Sequence, residues 1–257
     1  MRLMVVFWVW SVCSLAAVHR TDVMLEPVGA IDGDSLLVVD LDNTVFESAQ
    51  MLGSAQWFEY LLGSLKKSGM ASREAYQQAI GQWVQIQEAT DVRPVEASTP
   101  NFLRGLQTMG IRVMALSARP PQVSRRTLEQ LANIGVDFTR PSIFAKDLPM
   151  QFKRASALYT QGVLFADRLD KGGVLAAFFD RIQYKPKRVV YVDDQMANVE
   201  SVARAMKKVG VAFEGYRYGA ADIRVKTFDP EVAELQFRYY GKILSDDAAT
   251  QIRMLGE

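Results

Sequence analysis

Apolar residues fall into short blocks separated by longer amphipathic stretches. Ser35–Leu41 (SLLVVDL) follows Asp32-Gly33 and predicts a buried strand ending in acids. Ile111–Leu116 (IRVMAL) and Arg188–Val192 (RVVYV) predict two more. Gly162–Ala166 and Val211–Tyr216 are weaker strand candidates. Between the strands the period changes to that of a helix. Trp57, Tyr60, Leu61 and Leu65 share one helical face, and Tyr76, Ile80, Trp83 and Val84 share another. They predict a helical hairpin from Ser54 to about Ala89, turning near Ser68-Gly69. Ser98-Thr99-Pro100 opens a helix that Gly110 closes. Further helices are predicted from about Pro121 to Asn133, from Lys171 through Phe179, from Asn198 to about Val209, and from Pro230 to about Leu244.

Strands alternating with helices predict parallel βαβ units in a Rossmann-like three-layer α/β/α sandwich. Ligands of such sheets gather at the carboxyl ends of the strands. The residues that end the three strong strands are therefore the candidates: Asp40-Leu41-Asp42-Asn43-Thr44, Ser117-Ala118-Arg119 and Asp193-Asp194.

The amino terminus breaks this rhythm. Arg2 precedes a nearly unbroken apolar run, Leu3 to Val18, with small residues at Ser14, Ala16 and Ala17. The run is shorter than the ~20 residues of a membrane span. Residues 1–18 are expected to be a signal peptide, with Ala16 suited to precede the cleavage point. An uncleaved anchor is the alternative. A buried first helix or strand is disfavoured, because nothing polar interrupts the run and Trp8 and Trp10 would crowd a strand. The expected location is periplasmic or secreted, or membrane-attached through this segment alone.

Composition changes the picture mainly by exclusion. The 257 residues are 49% hydrophobic and 23% charged, ordinary for a globular chain, and carry a formal net charge of +1. No basic excess exists to draw nucleic acid. The only cysteine is Cys13 and the only histidine is His19, outside the predicted body of the domain. Internal disulfides, thiol nucleophiles, Cys/His zinc sites and a histidine base are therefore excluded there. The remaining chemistry belongs to carboxylates, hydroxyls, Lys and Arg, with or without a hard metal.

Asp40 and Asp42 stand two apart at a strand end, where two nearby acids are costly without a cation. Taken singly, each feature has an ordinary reading: Asp-rich turns, a turn hydroxyl at Ser117, a solvated charge at Lys171. Together, in this order, they resemble the haloacid dehalogenase (HAD) superfamily of phosphohydrolases. Asp40-Leu41-Asp42-Asn43-Thr44 is similar to its DxDxT motif. Ser117 matches its second motif, Lys171 its third, and Asp193-Asp194 the two-acid form of its fourth. Lys146 is a rival for the third, but Gly172 and Gly173 favour Lys171 by letting backbone approach closely.

The resemblance implies an enzyme that hydrolyses phosphate monoesters with Mg²⁺. Asp40 would be the nucleophile and Asp42 the general acid and base. Ser117 would hold phosphoryl oxygens, and Lys171 would neutralise charge. The metal would be held by the Asp40 carboxylate, the Asp42 carbonyl and the acids Asp193 and Asp194, with Asp193 expected in direct contact. Asn198 is expected to orient Lys171 or an acid, or to cap its helix. Arg119 is expected either to clamp a substrate anion or to be a surface charge before Pro120-Pro121. About 70 residues separate Thr44 from Ser117, more than the dozen a crossover needs. This predicts one HAD-like domain over 19–257, with a small helical cap inserted at about 50–97. The expected partner is a small-molecule phosphate ester. The alternatives are a phosphotransferase or mutase with the same nucleophile, and a secreted binding protein retaining the fold.

Overall fold

The computed structural model describes residues 17–153, 155–239 and 244–255. Cys13 and nearly all of the amino-terminal apolar run lie outside the described residues, and with them the predicted targeting segment. The first half of the chain contains β1 (Ala17–Thr21), β2 (Ser35–Val39), β3 (Phe46–Ser48), α1 (Ala55–Lys67), α2 (Ser72–Gln87), β4 (Val92–Pro94), α3 (Thr99–Thr108), β5 (Arg112–Ser117) and α4 (Ser124–Asn133). Then come β6 (Leu148–Gln151), β7 (Ser156–Thr160), β8 (Val163–Phe165), α5 (Lys171–Arg181), β9 (Arg188–Asp193), α6 (Met196–Val209) and β10 (Ala212–Tyr218). The last helices are α7 (Asp222–Lys226), α8 (Pro230–Arg238) and α9 (Asp246–Met254).

Eight strands, among the described residues, form one sheet in the order β1-β10-β9-β2-β5-β8-β7-β6. Every pairing from β1 to β8 is parallel, while β7 and β6 add an antiparallel edge. This is the predicted α/β class. Alternation along the strands explains the layering. Leu36 and Val38 of β2, Met114 and Leu116 of β5, and Val189 and Tyr191 of β9 join one buried cluster with Val174, Leu175 and Phe178 of α5 and Val199 and Val202 of α6. Leu37, Val39, Val113, Ala115, Val190 and Val192 face the other way, onto Leu103 and Leu106 of α3 and Leu131 of α4. Covering both faces is what lets these strands be apolar throughout.

Of the shorter strands, β8 matches the weaker candidate at Gly162–Ala166, while β1, β3, β4, β6 and β7 were not predicted from sequence. β1 is an edge strand, largely exposed, and its polar HRT ending carries no strand pattern. Val18, assigned above to the targeting run, belongs to it. His19 therefore lies on the folded domain, 3.2 Å from Glu214 and stacked on Tyr216. β3, β4 and β6 are three or four residues long, too short to show a period. The predicted carboxyl-terminal helix corresponds to α8, which ends at Arg238, and α9, beginning at Asp246, was not predicted; the two pack together through Val232, Leu235 and Ala249.

The helical hairpin α1–α2 leaves and rejoins the body through β3 and β4, which pair with each other. Ser54 caps α1 by accepting the Trp57 N–H. The hairpin packs its Trp57, Trp83 and Ile86 with Leu52, Val123 and Ala233 of α8. The last helices also fix the turn that enters it. Asp246 accepts the Met51 N–H and Gln236 the Leu52 N–H, each at 2.9 Å.

Close helix packing positions the start of α5. A Cβ on Gly172 would lie 2.3 Å from the Ser201 carbonyl oxygen of α6, so only glycine fits. Gly172→Ala is expected to push α5 off α6 and to cost about 1–3 kcal/mol, read by denaturant unfolding.

Candidate active site

The carboxyl edges of β2, β5 and β9 meet under α1 and α2. Backbone pairing carries β2 one residue further, since the Asp40 N–H donates to the Val192 carbonyl at 2.9 Å. The chain then folds back at once. The N–H groups of Thr44, Val45 and Phe46 all donate to the Leu41 carbonyl, and Asn43 takes a left-handed conformation (φ 61°) that asparagine tolerates. This turn directs Asp40 inward and presents Asp42 at the side. The Thr44 hydroxyl donates to Asp40 Oδ2 at 3.3 Å and accepts the Asp194 N–H at 3.1 Å, tying β2 to β9.

Lys171, the first residue of α5, is buried between two acids. Its Nζ lies 2.5 Å from Asp40 Oδ1 and 2.7 Å from Asp193 Oδ2. Asp40, Asp193 and Asp194 each offer a carboxylate oxygen within 4.8 Å of the others. Burial pushes Asp40 well above the usual carboxylate range, and the charges of Asp193 and Asp194 add to this against the opposing Lys171. Asp194 is pushed up to about 6, first by burial and then by Asp193. Burial alone would lower Lys171, but Asp193 and Asp40 hold it above its ordinary value.

Asp193 and Asp194 sit in different surroundings, and both offer an oxygen to the acid cluster. Asp193 is fully buried, and its carboxylate accepts from Lys171, Tyr191 OH (2.5 Å), the Gln195 N–H (2.7 Å) and Asn198 Nδ2 (3.0 and 3.2 Å). Asp194 lines the cavity. Its bonds from Gln195 Nε2 (2.8 Å) and Asn43 Nδ2 (3.4 Å) both fall on Oδ2. Asn198 is thus the partner of an acid, and α6 has already begun at Met196.

Arg119 is buried at the cavity wall, so the surface-charge expectation does not describe it. Its guanidinium grips Asp42 with two bonds of 2.8 Å and gives Nη1 to Thr127 Oγ1 (3.1 Å) and Gln130 Oε1 (2.7 Å). It also lies 4.7 Å from the Phe46 ring centre and 5.2 Å from that of Trp83. Ser117 is fully buried at the end of β5, where its Oγ accepts the Arg119 N–H at 3.1 Å, and it does not line the cavity. Lys146 is exposed in a loop and plays no part in this cluster.

Above the acids is a cavity of about 650 Å³. Asp40, Asp42, Lys171, Asp194 and Arg119 contribute to its walls from the sheet side, and Phe58, Leu62, Tyr76, Ile80 and Trp83 from the hairpin. Tyr76 OH donates to Asp167 at 2.6 Å. The structure thus brings Asp40, Asp42, Lys171, Asp193 and Asp194 together, with Ser117 beneath. Thr44, Tyr191 and Gln195 complete the cluster and were not assigned roles from sequence. Tyr191 had a signal, because strand alternation puts it on the same face as Asp193.

An α/β sheet with buried acids converging at its carboxyl edge is one class in which the fold builds a charged site under a helical insertion. The chain belongs to the family described as "Protein of unknown function (DUF2608)", which matches residues 18–250. It is 28% identical over 218 residues to a protein of Chlamydia trachomatis named "Putative outer membrane protein", covering 85% of this chain and 82% of that one. Among solved structures it is similar to the class C acid phosphatase from Bacillus anthracis at TM-score 0.37 and 14% identity, over 90% of this chain and 82% of that chain. A phosphoserine phosphatase determined as a phospho-aspartyl intermediate analogue gives TM-score 0.38 and 12% identity, over 76% and 98%. Among the described residues no helix is long and apolar enough to cross a membrane.

Lys171→Met would leave Asp40, Asp193 and Asp194 buried without their ammonium. Without divalent cations, the variant is expected to lose about 3–5 kcal/mol of stability at neutral pH. Ionising the acids in the fold becomes costlier, so the deficit should shrink as pH falls and they protonate. Unfolding curves at pH 7.5 and 5.5 measure it.

Proposed function

We propose that this chain is a divalent-metal-dependent phosphatase that hydrolyses small phosphate monoesters through an aspartyl-phosphate at Asp40. The observation that carries the reading is the charge balance at the cavity floor. Three buried carboxylates face one ammonium, and one divalent cation would bring the group to neutrality. The donors are all hard oxygens, as Mg²⁺ prefers. Asp40, the Asp42 carbonyl and Asp194 would hold the ion, with Asp193 anchoring Lys171 behind them. The ion supplies charge neutralisation for the phosphoryl oxygens.

The chain's own residues account for the rest. An Asp40 oxygen attacks phosphorus, the ester P–O bond breaks, and Asp42 protonates the departing oxygen. Asp42 then takes a proton from water, whose oxygen attacks phosphorus. Inorganic phosphate departs and the Asp40 carboxylate is restored. Lys171 offsets charge on Asp40 and the transferring group throughout. The cavity volume lies within the range of small-molecule sites. Its apolar wall of Phe58, Leu62, Ile80 and Trp83 suits an ester with an apolar portion, and α1–α2 acts as the cap that keeps bulk water out.

The reading includes export. The apolar run of residues 3–18 and the name of the chlamydial relative support it. Cleavage after Ala16 would spare β1, which begins at Ala17.

Phosphate release from a panel of esters is expected with Mg²⁺, to cease with chelator, and to cease in Asp40→Asn. Absence of release by the wild type from every ester would overturn the reading. Mg²⁺ binding should also depend on pH. The Asp194 carboxyl, at about 6 in the fold against 3.8 unperturbed, is largely protonated near pH 5 and ionised by pH 7.5. The rise in Tm on adding Mg²⁺ should therefore be larger at pH 7.5 than at pH 5.

A further inference from the structure

We infer that Gln130 and Gln87 are positioning residues that set the aim of Asp42 by tying it, through Arg119, to both linkers of the helical insertion. The inference rests on the proposed role of Asp42.

The chain of bonds is continuous and buried. Arg119 holds both Asp42 oxygens from beneath, while Asp42 keeps about a fifth of its side chain open on the cavity side. Gln130 of α4 accepts from Arg119 Nη1 at 2.7 Å, and its Nε2 donates to the Thr90 carbonyl at 2.7 Å and to Gln87 Oε1 at 3.4 Å. Gln87, at the end of α2, donates to the Gly53 carbonyl at 2.7 Å. Gly53 precedes α1 and Thr90 follows α2, so the bonds reach the entry and exit of the insertion together. The two linkers touch there: a Cβ on Gly53 would lie 2.3 Å from Thr90 Oγ1. Arg119, Thr127, Gln130, Gln87 and Thr90 are all nearly or fully inaccessible to water.

A buried network of this kind has few alternative arrangements, because any broken bond strands a polar group away from water. The seating of the hairpin and the orientation of Arg119 are therefore set together. Arg119 binds both Asp42 oxygens, so its placement fixes where Asp42 meets a leaving group. Trp83 of α2 adds a second contact between the insertion and the same guanidinium.

The leaving group separates aim from mere stability. An aryl ester of an acidic phenol, such as 4-nitrophenyl phosphate, departs without a proton, whereas an alkyl phosphate needs one. Gln130→Met removes the relay but keeps Asp42 and Arg119. Gly53→Ala disturbs the two linkers and the end of α2 but touches neither Arg119 nor Asp42. Both are expected to lower kcat/KM for an alkyl phosphate by about tenfold, a fraction of what general acid catalysis contributes, and for 4-nitrophenyl phosphate by less than about twofold. Equal losses on both esters, or no loss on either, would overturn the inference. A second readout needs no turnover. The Arg119 Nε–H signal in nitrogen-15 NMR should shift and exchange faster with solvent in Gln130→Met, while an unchanged signal in a folded variant speaks against the relay. If the wild type hydrolyses neither ester, the phosphatase reading fails while the NMR arm still decides whether Gln130 orients Arg119.

Discussion

The Lys171 ammonium, buried between Asp40 and Asp193, is the interaction on which the rest of the site depends. Three acids cannot share a water-poor pocket without compensation, and no histidine is there to help. The fold meets this constraint from two directions. It brings the first residue of α5 up from one face of the sheet, with Gly172 packed directly on α6. It also leaves Asp194 and Asp42 on the open side, lining the cavity. Thr44, Tyr191, Gln195 and Asn198 then fix the carboxylates, so the site is stiff before anything binds.

Asp42 and Asp40 are separated by one residue yet live in different surroundings. Asp40 faces other acids and a lysine at the bottom of the cavity. Asp42 is held by an arginine in a second polar network that extends away from the acids, under the insertion. Keeping the two networks apart gives neighbouring carboxylates distinct electrostatic environments.

The sheet and its ligand edge were legible in the sequence because β2, β5 and β9 are buried on both faces and read as apolar blocks ending in Asp40, Ser117 and Asp193. Edge elements were not. β1 has three exposed residues in five, and β3 and β4 pair only because the insertion brings them together. The division of labour between Asp193 and Asp194 was legible in principle. Alternation along β9 puts Asp193 on the face of Val189 and Tyr191, where α5 lies, and sends Asp194 to the open edge. The part played by Arg119 was not legible, because Asp42 lies 77 positions away and nothing local marks the pair.

The bracing of the insertion by α8 and α9 makes the two ends of the sequence meet in one construction. Asp246 and Gln236 hold the turn that enters the hairpin, nearly two hundred positions earlier. The roof of the cavity therefore lacks its support until the last residues of the chain have been synthesised. A partly synthesised chain would carry its clustered carboxylates not yet enclosed. The finished pocket would form only after the carboxyl-terminal helices arrive.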